Sequence, residues 1–257
     1  MASIHPTAIV DPTARVADSA TVGPYCVIGA GVTLGEECLL HNNVVMAGPT
    51  TIGRCNVFYP FSSIGHRTQD LKYTAEPTFL EIGDHNCFRE FVTVNRSTAP
   101  GSATKIGSHG NFLAYAHIAH DCTVGDHVIF SNNGTLAGHV KIGHHVVIGG
   151  LSGIHQFCRV GDHAIIGGCT KIVQDVPPFL IADGNPAEMR GVNVVGLERR
   201  GFSGDAIKEM RECYKILYRG NLNTSQAVEV MRKQFPESET IQLFIKFIVS
   251  SERGIIR

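Results

Sequence analysis

The sequence predicts a mainly β fold, a parallel β-helix followed by a small α-helical domain. An apolar residue recurs every six positions, starting at Ile4 and ending at Ile172, and the apolar spacing becomes helical after this series. The series has 29 positions, of which only Asp70, Glu76 and Pro100 are not apolar. A helix requires apolar residues about every 3.6 positions and a strand requires them every second position. A period of six instead fits a three-sided coil with one short strand on each face.

The residues around each apolar position agree with a narrow prism. The residue two positions earlier is usually small, and the residue directly after it is often Gly, which predicts a sharp turn there. Three hexads make one coil of 18 residues, so the series predicts about nine coils stacked about 4.8 Å apart. Four of the eight cysteines take the small interior position and are predicted to be buried thiols, not disulfides or metal ligands. They are Cys26, Cys38, Cys122 and Cys158.

Two polar segments, 65–81 and 95–105, interrupt the repeat and are predicted to be loops that leave the coil. Loops on a rigid scaffold often carry function. The repeat itself is predicted to end at Pro177 and Pro178, because proline cannot donate a hydrogen bond to a sheet.

Three amphipathic helices are predicted in the C-terminal part. Ser203 is a suitable N-cap for the first helix and Thr224 for the second, and a third is predicted over 241–248. We therefore predict a β-helix over 1–190 and an α-helical domain over 191–257, which covers the open end of the coil.

Charge and hydropathy argue against several classes of function. The sequence has no apolar run of 18 residues, which predicts no transmembrane segment. The N-terminus lacks a basic stretch followed by an apolar core, so we predict no secretory signal and expect a cytoplasmic protein. The net charge is −4 over 1–185 and +3 over 186–257. We expect no nucleic-acid partner, and the mildly basic tail is compatible with an acidic one.

The histidines fall into columns when the chain is divided into coils of 18 residues. One column has members in turns such as Gly-Asp-His, and it contains His109, His127, His145 and His163. Polar turn residues are normally exposed, so we interpret this column as a solvent-facing corner.

A second group of polar residues gathers along another edge. It comprises His117, His120, Asp121, His139, His155 and Gln156. His120 and Gln156 share one column, and Asp121 is stacked under His139. An imidazole beside a carboxylate can accept a proton near neutral pH. From the residues alone, this edge is a general-base site, a metal site or a polar subunit interface.

The sequence has no motif for a nucleophilic enzyme or a bound nucleotide cofactor, such as GxSxG, a P-loop or GxGxxG followed by a strand–helix unit. We therefore predict a histidine base that activates a substrate hydroxyl, with no covalent enzyme intermediate. We also expect no cofactor and no metal.

Four motifs, HIAHDCTVG, GGLSGIHQFC, QDVPPFLIADGNPA and GVNVVGLERRGFS, resemble the UDP-N-acetylglucosamine O-acyltransferases of lipid A biosynthesis. The similarity covers essentially the whole chain, including the QDLKY loop and the helical tail. It implies a left-handed parallel β-helix, which is an exception to the right-handed crossover rule. It also implies a homotrimer with active sites in clefts between subunits. The implied reaction transfers a 3-hydroxyacyl chain from acyl carrier protein to the glucosamine 3-hydroxyl of UDP-N-acetylglucosamine.

The resemblance implies roles for the matched residues. His120 is the expected general base, Asp121 the carboxylate that orients it, and the Gly138 N–H the donor to the oxyanion. The residues expected to bind substrates are Asp70, Lys72, His117, His139, His155, Gln156, Asn193, Arg199 and Arg200. Asp70 and Lys72 are expected to hold the sugar nucleotide from the neighbouring subunit.

Two further positions concern specificity. Gly168 matches the position that limits acyl-chain depth in the family, and a glycine there implies a longer chain. Val195 stands where some members carry an acid, which removes one polar contact to the nucleotide.

Several rival functions remain open. The related N-acyltransferase generally has an extra N-terminal domain before its hexads, whereas the hexads here begin at Ile4. An acceptor with an amine at the sugar 3-position is also compatible with the resemblance. A γ-class carbonic anhydrase would bind zinc through histidines at a trimer interface, but it does not need the QDLKY loop or the helical tail. A non-catalytic solenoid would only present surfaces.

Overall fold

The computed structural model describes residues 2–257, and its strands belong in turn to three sheets, so that the chain winds around a triangular prism. Sheet A contains β1 (Ser3–Ile4), β4 (Thr21–Val22), β7 (Leu39–Leu40), β10 (Val57–Phe58), β13 (Cys87–Phe88), β16 (Asn111–Phe112), β19 (Ile129–Phe130), β22 (Val147–Ile148), β25 (Ile165–Ile166), β27 (Leu180–Asp183) and β28 (Glu188–Val192). Sheet B contains β2 (Ile9–Val10), β5 (Val27–Ile28), β8 (Val45–Met46), β11 (Ser63–His66), β14 (Thr93–Asn95), β17 (His117–Ile118), β20 (Thr135–Leu136), β23 (Gly153–Ile154) and β26 (Lys171–Ile172). Sheet C contains β3 (Arg15–Val16), β6 (Val32–Leu34), β9 (Thr50–Ile52), β12 (Phe79–Ile82), β15 (Ala103–Ile106), β18 (Thr123–Val124), β21 (Lys141–Ile142) and β24 (Arg159–Val160).

The parallel register confirms the predicted coil. Thr21 pairs with Leu39, an offset of 18 residues. The offset grows to 30 between Ser63 and Thr93 and to 24 between Thr93 and His117, because the two polar segments are inserted in these coils. The inserted loops are shorter than predicted, since the flanking strands extend into the polar segments.

The apolar repeat lines the interior of the prism. Phe58, Phe88 and Phe112 are fully buried and stack with ring centroids 4.9 and 4.7 Å apart. Complete burial of such a side chain contributes about 1.5–3 kcal/mol. In the first coil that the structure describes, Ile4 is 42% exposed, because it lies at the open end of the prism. The cysteines are also as predicted: Cys26, Cys38, Cys122 and Cys158 are buried and free.

The corners are built differently from the prediction. A residue with positive φ is the third one after most interior positions, for example Asn43 with φ 58° and Asp121 with φ 59°. Apart from Gly65, with φ 79°, the glycine directly after the interior position has no positive φ. It is required by stacking, since a Cβ on Gly35 would lie 2.6 Å from the carbonyl carbon of Gly53 in the next coil. The repeat predicted sharp turns at these glycines, but they are required because the backbone of the next coil lies too close for a side chain.

Five imidazoles stack along the corner between sheets C and A. We call His85, His109, His127, His145 and His163 the imidazole ladder, and successive ring centroids lie 4.7–4.9 Å apart. His109 and His127 are exposed, as predicted, and so is His85, which the prediction did not include. The prediction of a solvent-facing column is wrong for the last two, because Phe202 packs against His163 and Arg200 contacts His145.

The ladder makes stability depend on pH. Burial, with smaller contributions from His145 and Arg200, lowers the pKa of His163 to about 4, well below its ordinary value of 6.5. The unfolded chain therefore binds more protons at this position between these values, so the contribution of His163 to the free energy of unfolding is greatest above pH 6.5 and falls as the pH drops towards 4. The loss from this group is about 3 kcal/mol at most. We expect His163→Phe to reduce the acid-side slope measured by urea unfolding at a series of pH values.

Phe suits this test because Nδ1 of His163 is buried without a hydrogen-bond partner, and the ring stacks on Phe179. An acid-side slope equal to that of the wild type would contradict the assignment. The exposed ladder member His85 provides the control: His85→Phe should leave the slope unchanged.

The C-terminal part begins with an element that the sequence did not predict. Strands β27 and β28 form an antiparallel hairpin at the end of sheet A. Four helices follow: α1 (Val194–Arg199), α2 (Gly204–Tyr218), α3 (Thr224–Gln234) and α4 (Glu239–Val249). Ser203 caps α2 as predicted, whereas α3 is capped by Asn223 through a capping box, so Thr224 is the first helical residue. Helix α1 was not predicted because it is only six residues long.

Side-chain hydrogen bonds hold the C-terminal helices on the hairpin and the C-terminal segment on the coil. The Tyr214 hydroxyl donates to the carbonyl of Met189 at 2.9 Å. The buried carboxylate of Asp175 accepts from Arg159 Nε at 2.9 Å and from the Ser251 hydroxyl at 2.8 Å. Across residues 2–257, none of the helices is long and apolar enough to cross a bilayer. The boundary between 190 and 191 remains a prediction.

Candidate active site

The predicted general base lies at the corner between sheets B and C. Strand β17 ends at Ile118, and the chain turns towards β18 through His120 and Asp121. Corner residues of successive coils stack, so Asp121, His139 and Phe157 follow one another in a column. The His139 and Phe157 rings are 4.6 Å apart and nearly parallel. The periodicity predicted this juxtaposition of Asp121 and His139.

His120 and Asp121 form a hydrogen-bonded pair. Nδ1 of His120 lies 2.8 Å from Oδ2 of Asp121, and Nε2 of His139 lies 3.7 Å from the same oxygen. The side chains of His120 and Asp121 are 14% and 10% exposed, whereas that of His139 is 38% exposed. The pair is therefore shielded from water, and His139 lies closer to the solvent.

Asp121 is ionised near neutral pH. Burial opposes its ionisation, but hydrogen bonds from the Ser97 hydroxyl, from His120 and from the Thr98 N–H outweigh this effect and lower the pKa of Asp121. A carboxylate that accepts from Nδ1 fixes the proton of His120 on that nitrogen. Nε2 of His120 is then the free base.

Gly138 lies directly beside the His120 ring. A Cβ at this position would be 2.6 Å from Nε2 and 3.1 Å from Nδ1 of His120. The Gly138 N–H donates no hydrogen bond to any of residues 2–257. The free base and an unused main-chain donor thus lie side by side, which is the arrangement that acyl transfer to a hydroxyl requires.

Three other predicted residues lie near this corner. His117 is half-buried, its Nδ1 is 2.7 Å from the Thr93 hydroxyl, and burial together with His120 lowers its pKa. His155 and Gln156 are exposed one coil beyond His139. A cavity of about 510 Å³ opens beside the corner, lined by Asp121, His139, Lys141, Phe157, Arg159, Asp175, Ser250, Glu252 and Arg253.

Sequence reasoning missed the residues that hold the carboxylate. Ser97 and Thr98 lie in the second inserted loop, and both bond Asp121. The Thr98 hydroxyl also donates to Thr68 at 2.7 Å, and Thr68 accepts from the Asp70 N–H at 3.0 Å. The QDLKY loop is thus linked to the corner between sheets B and C. An offset of 24 residues, had it been known for this coil, would have aligned Ser97 with Asp121.

The remaining predicted residues are not gathered at this corner. Lys72 is exposed in the first loop. Asn193 is buried, caps α1 and donates to the carbonyl of His163, so its side chain is already engaged in the fold. Arg199 and Arg200 end α1 beside the imidazole ladder, and Gly168 follows β25 at the corner between sheets A and B. Within one chain the site is therefore divided among three corners.

Three side chains at the corner between sheets B and C have metal-binding donors. His120, Asp121 and His139 each offer a ligand atom, and these atoms lie within 4.8 Å of one another. The geometry alone thus leaves both a base-catalysed and a metal-assisted reaction open.

The fold and the site define a class of protein. A β-helix of six-residue repeats with a shielded histidine–carboxylate pair beside a free main-chain N–H is the architecture of a hexapeptide-repeat acyltransferase. A family model described as UDP N-acetylglucosamine O-acyltransferase, domain 2, matches residues 175–256. The chain belongs to the UDP-N-acetylglucosamine O-acyltransferase family, as its full-length relatives demonstrate.

Two curated relatives carry the name acyl-[acyl-carrier-protein]–UDP-N-acetylglucosamine O-acyltransferase. The protein of Thermodesulfovibrio yellowstonii is 45% identical and that of Saccharophagus degradans 48% identical, each over 258 residues and 100% of both chains. The UDP-N-acetylglucosamine O-acyltransferase of Moraxella catarrhalis superposes with a TM-score of 0.95 at 45% identity, over 99% of each chain. The acyltransferase of Bacteroides fragilis gives a TM-score of 0.97 at 36% identity, over 99% of this chain and 100% of its own. These superpositions agree with the predicted left-handed winding.

Proposed function

We propose that the chain transfers a 3-hydroxyacyl group from acyl carrier protein to the glucosamine 3-hydroxyl of UDP-N-acetylglucosamine, the first step of lipid A biosynthesis. The names of the full-length relatives support both substrates. The single observation that carries the chemistry is the His120–Asp121 pair, with its free Nε2 beside the unused Gly138 N–H.

In the proposed reaction His120 is a general base. Nε2 of His120 takes the proton of the sugar hydroxyl, and the oxygen attacks the thioester carbonyl carbon. The Gly138 N–H donates to the oxyanion of the tetrahedral intermediate. As the C–S bond breaks, the imidazolium returns its proton to the leaving thiolate. The products are the 3-O-acyl sugar nucleotide and the free thiol of the carrier protein, and no enzyme side chain becomes acylated.

Asp121 and the other histidines support this step. The ionised carboxylate stabilises the imidazolium that forms on His120, and Ser97 and Thr98 keep the carboxylate oriented. His117, His139, His155 and Gln156 are proposed to bind the sugar and phosphate groups. Asp70 and Lys72 are proposed to bind the nucleotide from the first inserted loop.

We further propose a homotrimer with its active sites between subunits. The support is the division of the predicted residues within one chain: His120 lies at one corner, while Asn193, Arg199 and Arg200 lie at another. A neighbouring subunit would bring the second corner to the first. A cytoplasmic location also remains a proposal.

Gly168 is proposed to set the acyl-chain length. A Cβ there would meet only the carbonyl oxygen of Gly150, at 3.5 Å, so the position has room for a long chain and also for an introduced side chain. Gly168→Met should shift the preference to shorter chains.

The function is tested with UDP-N-acetylglucosamine and a panel of 3-hydroxyacyl carrier proteins, with products read by mass spectrometry. We expect a 3-O-acyl product, longest for the wild type and shorter for Gly168→Met. No product with any donor would contradict the proposed activity. An unchanged chain-length profile in Gly168→Met would contradict only the role of Gly168. The same assay with a 3-amino acceptor distinguishes O-transfer from N-transfer.

A further inference from the structure

The imidazole ladder meets a guanidinium at its fourth member. Nη1 of Arg200 lies 2.8 Å from Nδ1 of His145. Arginine keeps its proton in proteins, so Nδ1 of His145 must be the acceptor and the ring must be neutral. Both partners are fixed by the fold, because His145 stacks between His127 and His163 and Arg200 ends α1.

The surroundings of His145 favour the neutral ring. Burial lowers the pKa of His145, and Arg200, His127 and His144 lower it further. Asp162 opposes this effect but does not reverse it. His163, which stacks on the other side at 4.8 Å, is itself held neutral down to about pH 4 because its own pKa is lowered that far.

A neutral acceptor leaves the positive charge of Arg200 uncompensated. In the part of the chain that the structure describes, no carboxylate lies within 4.0 Å of the Arg200 guanidinium. A surface arginine is commonly oriented by an acid, which also cancels its charge. Here the orientation comes from an imidazole, so the guanidinium keeps its full charge and its remaining donors for an anion. Phosphate groups fit such a guanidinium well.

We propose that His145 is a positioning residue that holds the Arg200 guanidinium for the diphosphate of the sugar nucleotide and releases it when the imidazole is protonated. The inference rests on the proposed function and on the expectation from the family resemblance that Arg200 binds a substrate. Protonation of His145 replaces a hydrogen bond with the repulsion of two like charges at contact distance. Affinity for the nucleotide therefore falls as the solution becomes acidic.

Three variants test the role of His145. His145→Phe keeps a stacked ring but removes the acceptor. His145→Gln offers a carbonyl oxygen to Arg200 and does not titrate. His109→Phe changes an exposed ladder member and serves as the matched control. For each protein, KM for UDP-N-acetylglucosamine and kcat are measured at a series of pH values from about pH 8 down to about pH 5, since the lowered pKa of His145 keeps the ring largely neutral at about pH 6, and the thermal midpoint reports folding.

We expect His145→Phe to raise KM about tenfold at about pH 8, the effect of losing one hydrogen bond to a charged group, with kcat within about twofold. His145→Gln should keep the low KM and lose the rise in KM on the acid side, while His109→Phe behaves like the wild type. If His145→Phe and His109→Phe have equal KM values, or if the acid-side rise persists in His145→Gln, the inference is wrong. If His145→Phe does not fold, the pH dependence of His145→Gln decides. No turnover by the wild type would instead contradict the proposed function.

Discussion

Replacement of His120 by Ala is expected to abolish measurable acyl transfer while leaving the fold intact. Loss of a general base costs about 10²–10⁴-fold in rate, and no neighbouring group takes over. His139 is the nearest imidazole, but its Nε2 is directed at Asp121, 3.7 Å away. The measurement is kcat for transfer from a 3-hydroxyacyl carrier protein at saturating sugar nucleotide, since a base acts in the transition state and not in ground-state binding.

The fold should survive this change because Asp121 keeps its other hydrogen bonds. The Ser97 hydroxyl and the Thr98 N–H still bond the carboxylate, so no unpaired charge is buried. His109→Ala removes an imidazole at a remote, exposed corner and serves as the control. Near-normal turnover by His120→Ala would show that another group is the base. The assignment of the active site to the corner between sheets B and C would then be wrong.

Replacement of Gly138 by Ala is expected to reduce kcat by at least about a hundredfold. A reduction of this size is typical for the loss of one hydrogen-bond donor to an oxyanion. The added methyl would lie 2.6 Å from Nε2 of His120, closer than real Cβ contacts allow. The obstacle is a buried ring held by Asp121, so the imidazole must rotate away from the substrate or give up its hydrogen bond. Gly138 has no positive φ, and its backbone therefore accepts alanine without strain.

Gly153→Ala is the matched control for this variant. Gly153 lies in β23 of the same sheet, and a Cβ there meets no atom within 4 Å. We expect its kcat to stay within about twofold of the wild type, as for an ordinary surface substitution. If kcat of Gly138→Ala equals that of Gly153→Ala, His120 accommodates the added methyl group. The short distance between Gly138 and the His120 ring would then have no role in catalysis.

Much of the scaffold could be predicted from the sequence, because one apolar residue in every six marks the interior of the coil in a single register. An apolar series in a single register leaves one way to stack strands, and it correctly brought Asp121 and His139 together. The reason for the glycines was not readable, since a sharp turn and a close approach to the next coil both select a residue without a side chain. Only coordinates distinguish the ordinary φ of Gly35 from the left-handed φ of Asn43.

The contacts that cross an irregular segment were the ones missed. Ser97 and Thr98 are brought to Asp121 by the second inserted loop, which changes the offset between paired strands. The six-residue period of the sequence therefore does not predict which residues of this loop lie beside Asp121. The partial burial of His145 and His163 was missed for a similar reason. It depends on Arg200 and Phe202, which lie in a part of the chain with a different period.

The coil that leads from Thr93 to His117 uses 24 residues where an ordinary one uses 18. A coil of normal length would still hydrogen-bond to its neighbours, but it would bring no hydroxyl and no N–H to Asp121. The solenoid can thus gain or lose such an insertion without rebuilding its walls. The framework and the support of the Asp121 carboxylate therefore depend on different parts of the chain, the repeats and one inserted loop.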